Sequence, residues 1–303
     1  MDSSIEANIN LIFEDSKCKA KAAASAAKKL INVDNFDAII GELCSSATLA
    51  AAPMAQNNGV PMISPASTAP EVSQQGGFIF RTIPSDKKQG KFGAKQVAEE
   101  GHKRLAVLYV NGSYGTGFEQ VLQEELLKEG GKIVESTAFK KGATSLRTQL
   151  TKIKASEPDA IFIISNSPDS SVASLEQIKE LGIDAEVYGS EGLKSKDILQ
   201  ADKAAEGLKV VTLSKSSKDF VEAHQKEYNQ KPGPFAAQGY DAFQAIAETI
   251  EKDASTSKEI KKELYNIEFT GASGKIKFDD NGDVPGNFRM LQVKDGEFKE
   301  VKK

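Results

Sequence analysis

The sequence predicts an α/β protein of two lobes, each a parallel-rich sheet flanked by helices. Its 303 residues exceed what one hydrophobic core usually serves. Short β-rich runs alternate with helical stretches from the first residues to about Leu213, the pattern of parallel α/β units. After Ser214 three helical stretches follow with no strand between them, and these need a sheet to cover.

The first third reads as a strand at 8–14 around Leu11-Ile12-Phe13 and an Ala/Lys-rich helix at 20–31. A strand at 37–41, a helix at 45–56 and a strand at 60–64 complete it. Phe78-Ile79-Phe80-Arg81-Thr82-Ile83-Pro84 reads as a segment crossing between lobes. A second series follows: helix 86–101, strand 104–110, helix 115–129, strand 132–138, helix 144–155, strand 159–164, helix 169–181, and strands 186–189 and 208–213. The helices at 217–229, 235–252 and 257–265 are best placed on the first lobe, which has too few of its own. The chain ends in β, with Gly274–Phe278 and Phe288–Val293 flanking Asp280-Asn281-Gly282-Asp283, an Asn-Gly turn signal for a hairpin. The lobes are then residues 1–84 plus 215–268, and 85–214 plus 269–303.

Composition removes several function classes. A formal charge of −4 gives no basic field to hold nucleic acid. No apolar run has membrane-spanning length, and Met1-Asp2-Ser3-Ser4-Ile5-Glu6 is not the opening of a signal peptide. The only histidines, His102 and His224, lie in charged contexts that read as solvated, and no Ser-His-Asp or Cys-His arrangement accompanies them. No catalytic residue, cofactor or metal site is expected, since two cysteines and two histidines do not make the usual zinc frameworks. Gly112-Ser113-Tyr114-Gly115-Thr116-Gly117 follows a strand and opens a helix, yet lacks GxGxxG spacing and any P-loop Lys-Ser/Thr pair. A glycine-eased turn explains it equally well. Asp279–Asp283 lacks the bidentate Glu of a calcium loop and reads as a turn.

What the strand ends offer is small hydroxyl residues. Gly41-Glu42-Leu43-Cys44-Ser45-Ser46 runs directly into a helix, and Ser64-Pro65-Ala66-Ser67-Thr68 follows the next strand. Helix capping explains each alone. Together, at neighbouring strand ends, they supply hydroxyls and free N–H groups at positive helix termini, which suits a carboxylate. The second series offers Tyr114, then Ser165-Asn166-Ser167, then Glu191 between glycines, an acceptor for an ammonium. An anion pocket with a cation acceptor is what a zwitterion requires. Cys18 and Cys44 also sit at strand ends near this rim, where spacing alone leaves a bridge and a pair of free buried thiols both open.

The ordered set Leu43-Cys44-Ser45-Ser46, Met62–Glu71, Phe80-Arg81-Thr82, Tyr114-Gly115, Gly189-Ser190-Glu191-Gly192 and Gly274–Asp279 resembles the branched-chain amino-acid-binding family of type I periplasmic solute-binding proteins of ABC importers. The similarity runs from Ile9 to Val301. It implies the type I two-lobed fold with a hinged cleft closing on an amino acid, recognition of the closed form by membrane permease subunits, and a monomer. By the same resemblance Ser45 and Thr68 hold the ligand carboxylate, with Ser67 beside them. Ala66 offers a carbonyl to the ammonium, Glu191 takes its charge, Tyr114 walls the cleft, and Cys18 pairs with Cys44.

Two departures qualify the transfer. Asn166-Ser167 stand where the family has aromatic residues, a smaller and more polar wall, so ligand identity does not carry over. Family members also carry a signal peptide and a strand-loop-helix unit before the equivalent of Asn10-Leu11-Ile12. Their lack here reads as a fragment or mis-assigned start of an exported protein, periplasmic or membrane-anchored, with the 8–14 strand short of a sheet neighbour. The rival readings are a ligand-sensing receptor domain of the same architecture and, from another class, a nucleotide-dependent α/β enzyme using Gly112–Gly117.

Overall fold

A computed structural model describes residues 9–301. Residue 8 of the expected first strand, the opening Met1–Glu6 and the last two residues lie outside them. In chain order the regular elements are α1 (Ala20–Asn32), β1 (Ile39–Ile40), α2 (Ser45–Asn58), β2 (Met62–Ser64), β3 (Ile79–Arg81), α3 (Asp86–Glu99), β4 (Arg104–Val110) and α4 (Ser113–Lys128). They continue with β5 (Lys132–Phe139), α5 (Arg147–Ala155), β6 (Ala160–Ile164), α6 (Pro168–Glu180), β7 (Glu186–Gly189), α7 (Lys196–Gln200) and β8 (Lys209–Leu213). The last are α8 (Lys218–Tyr228), α9 (Ala236–Glu251), α10 (Ser257–Leu264), β9 (Phe269–Thr270), β10 (Lys275–Ile276), β11 (Phe288–Lys294) and β12 (Glu297–Glu300). The chain divides into two compact units, residues up to Ser85 with Ser214–Gly286, and Asp86–Leu213 with Asn287 onward.

The first unit is built on a parallel sheet in the order β1-β2-β3, with Ile39 opposite Met62 and Met62 opposite Ile79. On one side α1 presents Ala23, Ala27 and Ile31, one helical face at i, i+4, i+8, to the small residues Ala47, Ala51 and Ala55 of α2. Alanine on both faces lets the two helices approach closely. On the other side Ala242, Ala245 and Ile246 of α9 and Ile260 and Leu264 of α10 cluster with Ile63 and Phe80. The second unit holds a seven-stranded sheet ordered β12-β11-β8-β7-β6-β4-β5, parallel from β8 to β5, with β11 antiparallel to both of its neighbours. Its interior strand β6, Ala-Ile-Phe-Ile-Ile, lies between β7 and β4 and is buried throughout, as expected of a strand covered on both faces.

Four readings of the sequence are corrected. The strand at 8–14 does not form: Leu11, Ile12 and Phe13 are exposed and their backbone joins no ladder among the described residues. The neighbouring 37–41 strand shrinks to Ile39–Ile40, paired among the described residues only to β2. The crossing segment at 78–84 first supplies β3, and the chain passes into the second unit only after Ser85. Last, 274–278 and 288–293 are not hairpin partners. β10 pairs with β9, and β11 with β8 and β12. The physical reason is that Ile276, Phe278 and Val284 bury their side chains against Ile63 and Phe80, which draws 269–286 into the first unit and away from the second.

Cys18 and Cys44 are disulfide-bonded, their Cα atoms 5.4 Å apart across 26 positions of sequence. Closing a loop of that length contributes about 3.5 kcal/mol through the unfolded state. Replacing both by serine is expected to lower the unfolding free energy of the first unit by about that amount, read by denaturant titration of the oxidised protein and the variant. An unchanged midpoint would mean that the bridge adds nothing to stability.

Candidate functional site

Parallel pairing sets the site, because neighbouring parallel strands end on the same rim. In the first unit β1 and β2 deliver the loops 41–44 and 65–69 side by side. The carbonyl of Glu42 is their common anchor, accepting from the hydroxyls of Ser64 (2.6 Å), Ser67 (3.1 Å) and Thr48 (3.3 Å). Ser67 also reaches the Leu43 carbonyl (3.2 Å) and Thr48 Oγ1 (2.7 Å), so its hydroxyl is committed to bracing the loops. Ser45 opens α2, and its Oγ accepts from the Ala69 N–H at 3.2 Å. The first N–H groups of a helix have no intrahelical partner, so Ser45 sits at a positive terminus. Thr68 is buried beside it, and its hydroxyl has no protein partner among the described residues. Ala66 is half-buried.

The loop that carries Thr68 is held from below by Arg81, whose side chain is fully buried. Its guanidinium donates to Asp283 (Nε to Oδ1, 2.6 Å; Nη2 to Oδ2, 3.1 Å), to the carbonyls of Ser67 and Ala69 (3.2 and 3.0 Å) and to Ser73 Oγ (2.6 Å). Asp279 accepts the N–H groups of Asn281 and Asp283, fixing the turn that presents Asp283. The acidic 279–283 segment is therefore an arginine clamp for the Thr68 loop. Nothing in the sequence alone joins residue 81 to residue 283.

In the second unit β4, β6 and β7 are parallel neighbours, and their ends carry Tyr114, Ser165-Asn166-Ser167 and Ser190-Glu191. The Tyr114 hydroxyl lies 2.9 Å from Ser190 Oγ and 3.2 Å from Glu191 Oε1. The other carboxylate oxygen of Glu191 accepts from Gln89 Nε2, which also donates to the Val211 carbonyl at 3.1 Å. Close approach decides the glycines here. A Cβ on Gly192 would lie 1.9 Å from the Ser165 carbonyl oxygen, and one on Gly115 would lie 1.9 Å from that of Val110. Gly115 thus serves helix–strand packing, which accounts for its place in the glycine-rich loop. Ser167 is buried, with its Oγ accepting from Gly142 N–H (3.2 Å) and Ser170 Oγ (3.1 Å), whereas Asn166 is exposed at the rim.

Burial, then the charges of Glu191 and Asp86, holds the Tyr114 phenol well above its usual range, so it remains a neutral donor. Burial also raises the Glu191 carboxyl above its ordinary value, against the opposing pull of its own N–H, Gln89 and Tyr114. The native state thus holds the Glu191 proton more tightly than the unfolded chain does. The protein is expected to lose stability as pH rises from the unfolded carboxylate value through the folded one. Chemical denaturation across pH 4 to 8 reads this effect. A stability that climbs steadily across that window would contradict the raised carboxyl.

Three side chains that hold the candidate site receive no role from the sequence: Gln89, Asp86 and Arg81. The first two begin α3, where Asp86, Gln89, Gly90, Gly93, Ala94 and Val97 form its buried face. Polar residues at apolar spacing are a readable signal. The histidines are also less solvated than their neighbours in sequence imply. His224 is half-buried between Phe220 and Tyr228, and His102 Nε2 lies 2.6 Å from Glu186. Glu100, His102 and Glu186 converge, but the Lys209 ammonium bonds both carboxylates and is itself the cation of that cluster.

The chain matches the model of the family described as periplasmic binding protein over residues 6–297. It is 29% identical to the leucine-, isoleucine-, valine-, threonine- and alanine-binding protein of Pseudomonas aeruginosa, over 92% of this chain and 76% of that protein. A leucine-binding protein from Thermotoga maritima superposes with a TM-score of 0.91 at 29% identity, covering 99% of this chain and 89% of that one. The substrate-binding protein of a branched-chain amino acid transporter from Streptococcus pneumoniae, solved with isoleucine, gives 0.84 at 27% identity, covering 97% and 87%. That family is one of binding proteins and not of enzymes, and its two-lobed architecture of parallel-rich sheets flanked by helices is the one found here. The chain belongs to the periplasmic binding protein family.

Proposed function

We propose that this protein is the solute-binding component of an ABC importer for a free amino acid of the branched-chain type. The observation that carries the reading is the chemistry of the two rims. The first unit gathers a helix N-terminus, Ser45 and a Thr68 hydroxyl with no protein partner among the described residues. The second gathers a clamped carboxylate, Glu191, beside a neutral phenol. One half suits a carboxylate and the other an ammonium, and an α-amino acid carries both. Relatives whose names state leucine, isoleucine or valine binding support the ligand class.

In this reading Ser45 and Thr68 bind the ligand carboxylate, the Ala66 carbonyl and Glu191 bind its ammonium, and Tyr114 lines the wall. Asn166 meets the ligand side chain. Ser67 and Ser167 shape their loops. Ligand shifts a hinge equilibrium toward a closed form that permease subunits recognise, and the protein acts as an extracytoplasmic monomer. No helix among the described residues is long and apolar enough to cross a membrane.

Removing the Thr68 hydroxyl isosterically with Thr68→Val deletes one hydrogen bond to a charged group, so affinity should fall roughly tenfold or more. Calorimetric titration with L-isoleucine reads this. Equal affinity in the variant would assign Thr68 to loop packing alone.

A further inference from the structure

The ammonium half-site contains a residue that no ligand contact requires. Gln89, on the first turns of α3, is almost completely buried, and both groups facing its amide nitrogen are acceptors: the Glu191 carboxylate and the Val211 carbonyl. The orientation of the amide is thereby fixed, with nitrogen toward Glu191. A donor at that point satisfies an ionised carboxylate and gives a protonated carboxyl nothing to donate to. The opposite oxygen of Glu191 receives the Tyr114 hydroxyl, so both oxygens are held and the carboxylate plane is set.

We propose that Gln89 is a positioning residue which holds Glu191 ionised and aimed for the ligand's ammonium, so that capture of a cation at this site depends on Gln89 without contact between Gln89 and the ligand. The inference rests on the amino-acid-binding reading above and deepens it. Two other titratable groups bear on the same site: Asp86, fully buried one turn before Gln89 on α3, and Tyr114 on α4. Asp86 and Glu191 together keep the Tyr114 phenol neutral, and that phenol donates to Glu191. Gln89 and Tyr114 are therefore the two side chains that oppose protonation. With Gln89 gone, the carboxyl takes up a proton at higher pH, and the ligand must then displace it.

The test compares wild type with Gln89→Met, which keeps side-chain length and removes the donor, and with Tyr114→Phe, which removes the other contact. Two readouts are followed. The first is the Glu191 side-chain carboxyl signal in ¹³C NMR of ligand-free protein, titrated with pH. The second is L-isoleucine affinity by calorimetry at pH 5.5 and 8.5. Gln89→Met is expected to move the carboxyl midpoint upward. It should weaken isoleucine roughly tenfold or more at pH 5.5, with most of the loss recovered at pH 8.5. Tyr114→Phe should move the midpoint in the same direction. An unmoved midpoint in Gln89→Met, or an affinity loss equal at both pH values, would overturn the proposal and leave Gln89 a packing residue. Should wild type bind neither isoleucine nor other amino acids, the functional reading fails, while the NMR midpoint still decides the role of Gln89. If Gln89→Met does not fold cooperatively, the midpoint in Tyr114→Phe decides whether donors at Glu191 control its proton.

Discussion

Glu191→Gln is expected to lower amino-acid affinity by more than a hundredfold while leaving the second unit folded. Glutamine keeps the shape of the side chain and its place beside Tyr114 and Gln89, but it cannot neutralise an ammonium. Breaking a buried charge pair on one side costs about 3–5 kcal/mol, because the remaining charge is stranded without water. Fold should survive because Glu191 is held by the rim and does not hold it. Gly189, Ser190 and Leu193 make the backbone bonds and packing that set the loop. The neutral residue also removes a buried carboxyl, so ligand-free stability near neutral pH should not fall. Calorimetric affinity with thermal unfolding of the same sample checks both halves. Retained affinity would mean that Glu191 does not receive the ammonium.

The second large effect lies in the first unit. Arg81→Met leaves Asp283 buried without its partner and releases the carbonyls of Ser67 and Ala69. The expected loss is about 3–5 kcal/mol, which corresponds to a fall of roughly 10 °C or more in the melting temperature of a unit this size. Arg81→Lys should recover little, since an ammonium cannot span the five acceptors that the planar guanidinium reaches. Ligand affinity should drop as well, through the loosened Thr68 loop. A variant with unchanged melting temperature would show that the clamp is dispensable. The double variant Arg81→Met with Asp283→Leu, which replaces both charges with apolar groups, is expected to regain much of the stability lost by the single change.

Most of the second unit was legible because its strands follow one another in sequence and its helices fall between them. The expected spans 104–110 and 186–189 match β4 and β7 residue for residue, and the others differ by a few residues at their ends. The first unit was harder to read. Among the described residues its parallel sheet has three short strands, and one of them, β3, lies in a run that resembles a linker. Its covering helices arrive some 150 positions later, so their placement rests on which face lacks cover and not on any local pattern. The hairpin error has the same origin. Asn281-Gly282 does form a turn, but Arg81 captures Asp283 on one side of it, and Phe278 and Val284 are buried with Phe80. Local turn chemistry cannot encode those distant partners.

The site shows the same division. Parallel topology brings strand ends to one rim, so Ser45, Thr68, Tyr114 and Glu191 could be nominated as candidates from the chain and its family resemblance. Ser67 and Ser167 were indistinguishable from them in sequence, because a hydroxyl that braces a loop and one left without a protein partner have the same sequence neighbours. The structure separates them by what their hydroxyls touch. Gln89 and Arg81 work through other side chains, and that role becomes visible only when the acceptors around them are known.

The central claim, that one amino acid is captured through its two charged ends, is tested most directly by thermal unfolding of the oxidised protein against a panel of L-amino acids and their N-acetyl and amide derivatives. The account predicts that L-leucine, L-isoleucine or L-valine raises the transition in a concentration-dependent way, equivalent to about 2.7 kcal/mol at a hundred times Kd. Neither the N-acetyl derivative nor the amide, each missing one charge, should do so. A stabilisation that survives loss of either charge, or the absence of stabilisation by every amino acid in the panel, would contradict it.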